Sequence, residues 1–187
     1  MHKPEIICFA GPNGSGKSVI TSIILPYTHG KYINADDIKR TTYCDDLEAA
    51  QKAEILRETA LSNREDFVFE TVLSTDRNLK LLQKAKDEGY FIRCIYVITI
   101  SPQINIMRVK YRVMAGGHDV PTDKIVSRYY KSLDMIKKVF PLCDRLNIYD
   151  NSGESPIRIL KKRNDQITFF ENPYWNQEQL ARLYLLE

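Results

Sequence analysis

Apolar residues first gather in EIICFA (5–10), an unbroken run that stops at a glycine, as a strand covered on both faces does. A helix is expected over 17–25, stopping before Pro26, followed by a second short strand in KYINA (31–35). The segment 47–65 is rich in strong helix formers, with apolar residues recurring at helical spacing. FVFE (67–70) reads as a third strand and RNLKLLQKAKDEG (77–89) as a helix closed by its glycine. YFIRCIYVITI (90–100) is the longest β-like run. Helices are expected over 102–115, with proline in the first turn, and over 121–140. RLNIYD (145–150) is the fifth strand. Beyond it, PIRILKKRN (156–164) and QITFFE (166–171) read as edge strands or irregular structure, and 176–187 as a short terminal helix.

Short strands alternating with longer helices predict a parallel sheet covered on both faces, an α/β architecture. The 187 residues suit one domain spanning 1–187, with no internal repeat, low-complexity tract or linker. In such a sheet ligands gather at the carboxyl ends of the strands, so the residues just after each strand come first as site candidates.

Composition adds mainly exclusions. A hydrophobic share of 43% and a charged share of 27% exclude a disordered or fibrous chain. The net charge of +3 is too small to imply a nucleic-acid or membrane surface. Cys8, Cys44, Cys94 and Cys143 show no C-x-x-C spacing and are expected to be free thiols in a reducing compartment. His2 and His29 have no partner pattern, and no His/Cys cluster suggests zinc. The amino-terminal apolar run is too short for a signal peptide and no segment reaches the length of a membrane span, so the expected location is the cytoplasm.

The chemistry begins after the first strand. GPNGSGKS (11–18) matches G-x-x-x-x-G-K-[ST] in full and in the required strand-loop-helix setting. Gly11, Gly14 and Gly16 free the backbone to turn successive N–H groups of the loop, which also contains Pro12, Asn13 and Ser15, toward one point. The helix opening at Lys17 adds its positive dipole end. Lys17 would reach the β and γ phosphates and the Ser18 hydroxyl would ligate Mg²⁺, so the loop predicts ATP or a related triphosphate with magnesium.

Other strand ends refine the class. Asp36, in NADD after the second strand, is placed to accept a proton from a substrate hydroxyl; a helix cap is its structural alternative, with Asp37 the more natural cap. Glu70 and Thr71 follow the third strand, where Glu70 could hold magnesium's water shell, a substrate hydroxyl or a lid arginine; Ser74 and Arg77 are weaker candidates. No N-K-x-D or D-x-x-G sequence stands where a switch GTPase would need it. Arg108 and Arg112 share a helix face, with Asn105 one turn before them, and Arg128 lies in the next helix. Between the helices, MAGGHDVP offers Gly116 and Gly117 as a hinge for a lid over about 102–140. His118 is either a phosphate donor, a helix cap or an exposed turn residue.

Taken in order, GPNGSGKS, NADD, FETVLS, RVMAGGHDVP, IVSRYYKSL and YDNSG resemble the zeta toxin family of P-loop kinases, in particular its short members, over about 5–153. The resemblance implies a nucleotide-kinase-like three-layer sandwich with a parallel five-stranded core sheet in the order 2-3-1-4-5 and a helical lid. It implies ATP as donor and a hydroxyl of a small acceptor as target, the best-known members acting on UDP-N-acetylglucosamine and being restrained by a small antitoxin that obstructs ATP. It places the family's catalytic aspartate on Asp36, its acidic residue after strand three on Glu70, and one phosphate-contacting arginine on Arg112. The second arginine falls on Arg108 or Arg128, and adenine contact on Asn151 and Ser152. The chain is shorter than those toxins and lacks their added helical segments, which leaves the acceptor open. A polynucleotide 5′-hydroxyl kinase would need the same loop, base and arginines together with a basic channel of stacking aromatics, whereas the eleven tyrosines are scattered. A nucleotide-binding interaction protein is the alternative outside catalysis.

Overall fold

The computed structural model describes residues 3–185. Its centre is a seven-stranded sheet in the order β2-β3-β1-β4-β5-β6-β7. The strands are β1 (Glu5–Ala10), β2 (Lys31–Ile33), β3 (Phe67–Thr71), β4 (Phe91–Ile98), β5 (Arg145–Asp150), β6 (Ile157–Arg163) and β7 (Gln166–Phe169). The first five run parallel in the expected order 2-3-1-4-5, and β6 and β7 extend the sheet antiparallel. The two segments expected as edge strands or irregular structure are therefore regular strands. Their alternation is blurred by basic residues such as Lys162, which is buried yet spends its ammonium on the carbonyls of Phe140 and Cys143, both at 2.7 Å.

The helices are α1 (Lys17–Ile24), α2 (Ala35–Thr42), α3 (Asp46–Ser62), α4 (Asp76–Asp87), α5 (Pro102–Met114), α6 (Thr122–Val139) and α7 (Gln177–Tyr184). The expectation for α7 ran to 187, and its last two positions, like His2, lie outside the described residues. Asn34 caps α2, accepting from the Asp36 N–H at 2.9 Å, so the cap is the asparagine before Asp37 rather than Asp37 itself. Asparagine fits because the cap needs extended backbone and a short acceptor, and Asn34 has both.

Alternation along each strand divides the core. On β1, Ile6, Cys8 and Ala10 face a large cluster with Ala53, Leu61, Leu82, Ile136 and Leu180 from α3, α4, α6 and α7. Ile7 and Phe9 face a smaller cluster with Ile20 of α1. Each fully buried aliphatic or aromatic side chain contributes about 1.5–3 kcal/mol relative to exposure, which makes this sandwich a rigid platform for the loops at its carboxyl edge. All four cysteines are free. Among the described residues no helix is long and apolar enough to cross a membrane.

The segment expected as a lid contains α5 and α6, with Val109 of α5 and Ile125 of α6 packed together with Val120 of the turn between them. Gly116 sits at φ +83° with open space where a Cβ would point, and the Gly117 N–H returns to the Arg112 carbonyl at 2.9 Å. The pair closes α5 with a left-handed turn.

Candidate active site

The loop between β1 and α1 wraps over the carboxyl edge of the sheet. A Cβ on Gly14 would stand 2.5 Å from the Asn105 carbonyl oxygen, and one on Gly16 2.1 Å from the Asn151 amide nitrogen. Both glycines also have positive φ, so shape and backbone together demand glycine here. The loop is braced from behind: Asn151 donates to the Ser15 carbonyl at 2.8 Å and Asn105 to the Asn13 carbonyl at 2.7 Å. Ser15 is fully buried, and its hydroxyl has no hydrogen-bond partner.

The Lys17 ammonium folds back on the loop, donating to the carbonyls of Gly11 at 2.7 Å and Pro12 at 3.1 Å. Burial lowers its pKa to about 8, with the charge of Arg112 pushing the same way and the carboxylates of Glu70 and Asp36 opposing.

A cavity of about 400 Å³ opens beside the loop. It is lined by Gly14, Lys17 and Ser18 of the β1–α1 segment and Arg108 and Arg112 of α5, which follows β4, and by Asn34 and Asp36 at the start of α2, Arg57 of α3, and Glu70 and Thr71 at the end of β3. Asp36 reaches it from the first turn of α2, and Glu70 from the end of β3. Glu70 accepts from the Tyr32 hydroxyl at 2.9 Å, and that oxygen accepts from the Asn34 amide at 2.7 Å. Burial raises the Tyr32 pKa, which keeps the phenol a donor to Glu70. Tyr32 and Arg57 were not singled out by motif: Tyr32 lies in a strand of ordinary composition and Arg57 in a helix crowded with charge.

Other candidates occupy different positions. Thr71 lines the cavity, but its hydroxyl accepts from the Leu73 N–H and the Asn78 amide, shaping the turn after β3. Ser74 is half-buried outside the lining, and Arg77 pairs with Glu54 at 3.4 Å. Arg128 meets the loop through the Asn13 side chain at 3.3 Å rather than from the cavity wall. Arg108 reaches toward the Gly153 carbonyl at 3.4 Å, and its other terminal nitrogen, Nη1, is buried with no partner. Arg112 donates to the His118 carbonyl at 2.7 Å, which folds the lid tip onto the helix; the His118 residue itself is exposed. The Ser152 hydroxyl bonds to Asp150 at 2.8 Å and accepts from the Ile100 N–H at 2.8 Å. Asn151 and Ser152 thus brace backbone with their side chains.

A glycine-cradled loop, its lysine, and carboxylates at the ends of the neighbouring strands place this molecule among the α/β folds of the P-loop kinases. Its family follows from comparison: the zeta toxin model matches residues 1–165, and the chain belongs to that family. An uncharacterised protein of Haemophilus influenzae is 30% identical over an alignment of 133 residues, with 67% of this chain and 92% of that one covered. Among solved structures, a chain of the AvrRxo1-ORF1:AvrRxo1-ORF2 complex with sulphate ions superposes with a TM-score of 0.74 at 13% identity, covering 97% of this chain. This chain spans 63% of that one. A chain from the PezAT chromosomal toxin-antitoxin system of Streptococcus pneumoniae gives 0.62 at 19% identity, covering 98% of this chain and 84% of its own.

Proposed function

We propose that the chain is an ATP-dependent kinase that transfers the γ-phosphoryl group to a hydroxyl of a small acceptor, with a nucleotide sugar such as UDP-N-acetylglucosamine as the leading candidate. The observation that carries this reading is the single cavity shared by Lys17, Asp36, Glu70, Arg108 and Arg112. In this reading the loop and Lys17 cradle the phosphates and Asp36 supplies the carboxylate base.

The triphosphate fits what the loop offers: glycines at positive φ, a lysine satisfied only by loop carbonyls, and the opening of α1. On binding, Lys17 exchanges those carbonyls for phosphate oxygens. Asp36 accepts the acceptor's proton as the oxygen attacks in line, and Arg112, with Arg108 or Arg128, offsets charge on the phosphoryl group in transit. Glu70, held by Tyr32, orients the acceptor hydroxyl or the metal's water. In this reading Asn151, through the Ser15 carbonyl it supports, and Ser152, through Asp150 and Ile100, serve the adenine end, and Thr71 lines the acceptor side, while Ser74 and His118, outside the lining, would meet an acceptor only at the cavity's entrance.

The site also suits Mg²⁺, which the Ser18 hydroxyl would ligate with Glu70 on the same cavity holding its water shell. Bound there, the ion would neutralise phosphate charge. Among the described residues no group of three or more His, Cys, Asp or Glu could hold a metal. The same reading gives the chain a cytoplasmic setting and an antitoxin-like protein partner over the ATP site.

The test incubates the protein with Mg·ATP and a panel of sugar nucleotides, nucleosides and 5′-hydroxyl oligonucleotides, and seeks a mass gain of one phosphoryl group. Transfer to a small acceptor, reduced about 10²–10⁴-fold in Asp36→Asn, is expected. Transfer to oligonucleotides alone would establish a polynucleotide kinase instead, although the cavity lining contains no Phe, Tyr or Trp for base stacking. Binding of ATP without transfer to any acceptor would favour an interaction protein.

A further inference from the structure

Arg57 lies in α3 with 7% of its surface exposed, and it is the one arginine among the buried polar and charged residues described. Its guanidinium lies 5.4 Å from the centroid of the Phe69 ring, next to Glu70, and it lines the cavity with Asp36, Glu70, Thr71 and Val72. Among the described residues it forms no ion pair, and its buried Nε has no hydrogen-bond partner. The nearby helix carboxylates are engaged elsewhere, Glu54 with Arg77 at 3.4 Å and Glu58 with Lys84 at 3.1 Å. A buried cation with no carboxylate in direct contact, and only the charges of Glu54 and Glu58 nearby, is unfavourable, and packing on a ring does not require one, since an aliphatic chain would fill the same space at less cost.

The proposed donor phosphates already have the loop and Lys17 after β1, and Arg108 and Arg112 in the helix after β4. Arg57 comes from α3, in the same β2-to-β3 connection that carries the proposed base Asp36. Its planar fork matches a carboxylate or phosphate in two parallel hydrogen bonds.

We propose that Arg57 is the anion-recognition residue of the acceptor half of the cavity, and that the acceptor is an alcohol carrying a carboxylate or phosphate group. This rests on the phosphotransfer reading for the word acceptor, while the anion site stands on its own geometry. Arg57 fixes the anion end of the molecule so that its hydroxyl meets Asp36.

The experiment measures binding by calorimetry with the P-loop saturated by Mg²⁺ and a non-hydrolysable ATP analogue. The probes are glucose, gluconate, glucose 6-phosphate and UDP-N-acetylglucosamine, which separate neutral, carboxylate and phosphate chemistry. At least one anionic probe is expected to bind about tenfold or more tighter than glucose. Arg57→Gln should remove that preference, Arg57→Lys should restore part of it, and the nucleotide analogue should bind all variants alike. Arg57→Met, which keeps a stem against Phe69, is expected to melt no lower than the native chain and to lose the preference, so that a fold defect in the glutamine variant is not mistaken for the answer. The proposal is overturned if all four probes bind the native chain equally, or if the glutamine and methionine variants keep the preference. Anion preference without phosphoryl transfer from ATP would sink the kinase reading and leave this site standing. Transfer to neutral glucose, unaffected by Arg57→Gln, would do the reverse.

Discussion

The side-chain amide of Asn105 donates to the backbone carbonyl of Asn13 at 2.7 Å, while its oxygen accepts from the Thr99 hydroxyl at 2.6 Å. Asn105 is fully buried, so one side chain ties the helix that carries Arg108 and Arg112 to the phosphate loop and to the end of β4. Asn105→Ala should cost about 1–3 kcal/mol of stability, because the Asn13 carbonyl loses its side-chain donor and the Thr99 hydroxyl is left with the longer bond to the Ser101 carbonyl at 3.2 Å. Catalytic turnover should fall further than stability explains, as the arginines lose their fixed register. Denaturant unfolding and steady-state rates on the same preparation check both.

Lys17 carries a pH signature. Its pKa in the folded, ligand-free protein is lowered to about 8 by burial, against an ordinary value of 10.5. The unfolded chain therefore holds more protons between these two values, so this lysine makes stability rise with pH across that window and penalises the fold below it. Phosphate oxygens restore the charged form. Nucleotide binding should thus take up a proton at pH 8.5 and none at pH 6.5, and affinity should weaken as pH rises above 8. Calorimetry in buffers of different ionisation enthalpy measures the uptake directly.

Gly16→Ala places a methyl group 2.1 Å from the Asn151 amide nitrogen at a φ of +87°. The backbone strain alone amounts to about 1–2 kcal/mol, and the clash adds to it by displacing the amide that supports Ser15. A lower melting temperature together with loss of nucleotide binding is the expected result, read by thermal denaturation with and without ATP.

Trp175 donates its indole N–H to Asp150 at 2.8 Å, and Asp150, only 1% exposed, also receives the N–H and hydroxyl of Ser152. Trp175→Phe keeps the ring and removes one bond to that carboxyl, a loss of about 1.5–3 kcal/mol for a charged acceptor. The loop after β5 should loosen with it, and the Michaelis constant for ATP should rise severalfold while that for the acceptor stays constant.

The parallel core was readable because the strands β1, β3 and β4 are apolar runs punctuated by glycine or followed by helix formers, and the P-loop because its glycines have no other common use. Less was readable where one residue type serves several purposes. Lys162 in β6 looks like surface charge until the carbonyls that bind it are seen. Arg57 is one cation among many in α3, and only packing singles it out. For Asn151 and Ser152 the loop was identifiable, but the direction of each side chain depends on Ser15 and Asp150, contacts that pattern alone does not encode.

The sheet ends in β2 at one border and β7 at the other, three and four residues long. So little open backbone gives a neighbouring chain scant template for adding a strand, which protects the molecule from edge-to-edge polymerisation. Strand addition by a partner would therefore have only three or four residues of border backbone to pair with, so a protein-binding surface on this fold would draw its specificity from side chains more than from shared β-sheet.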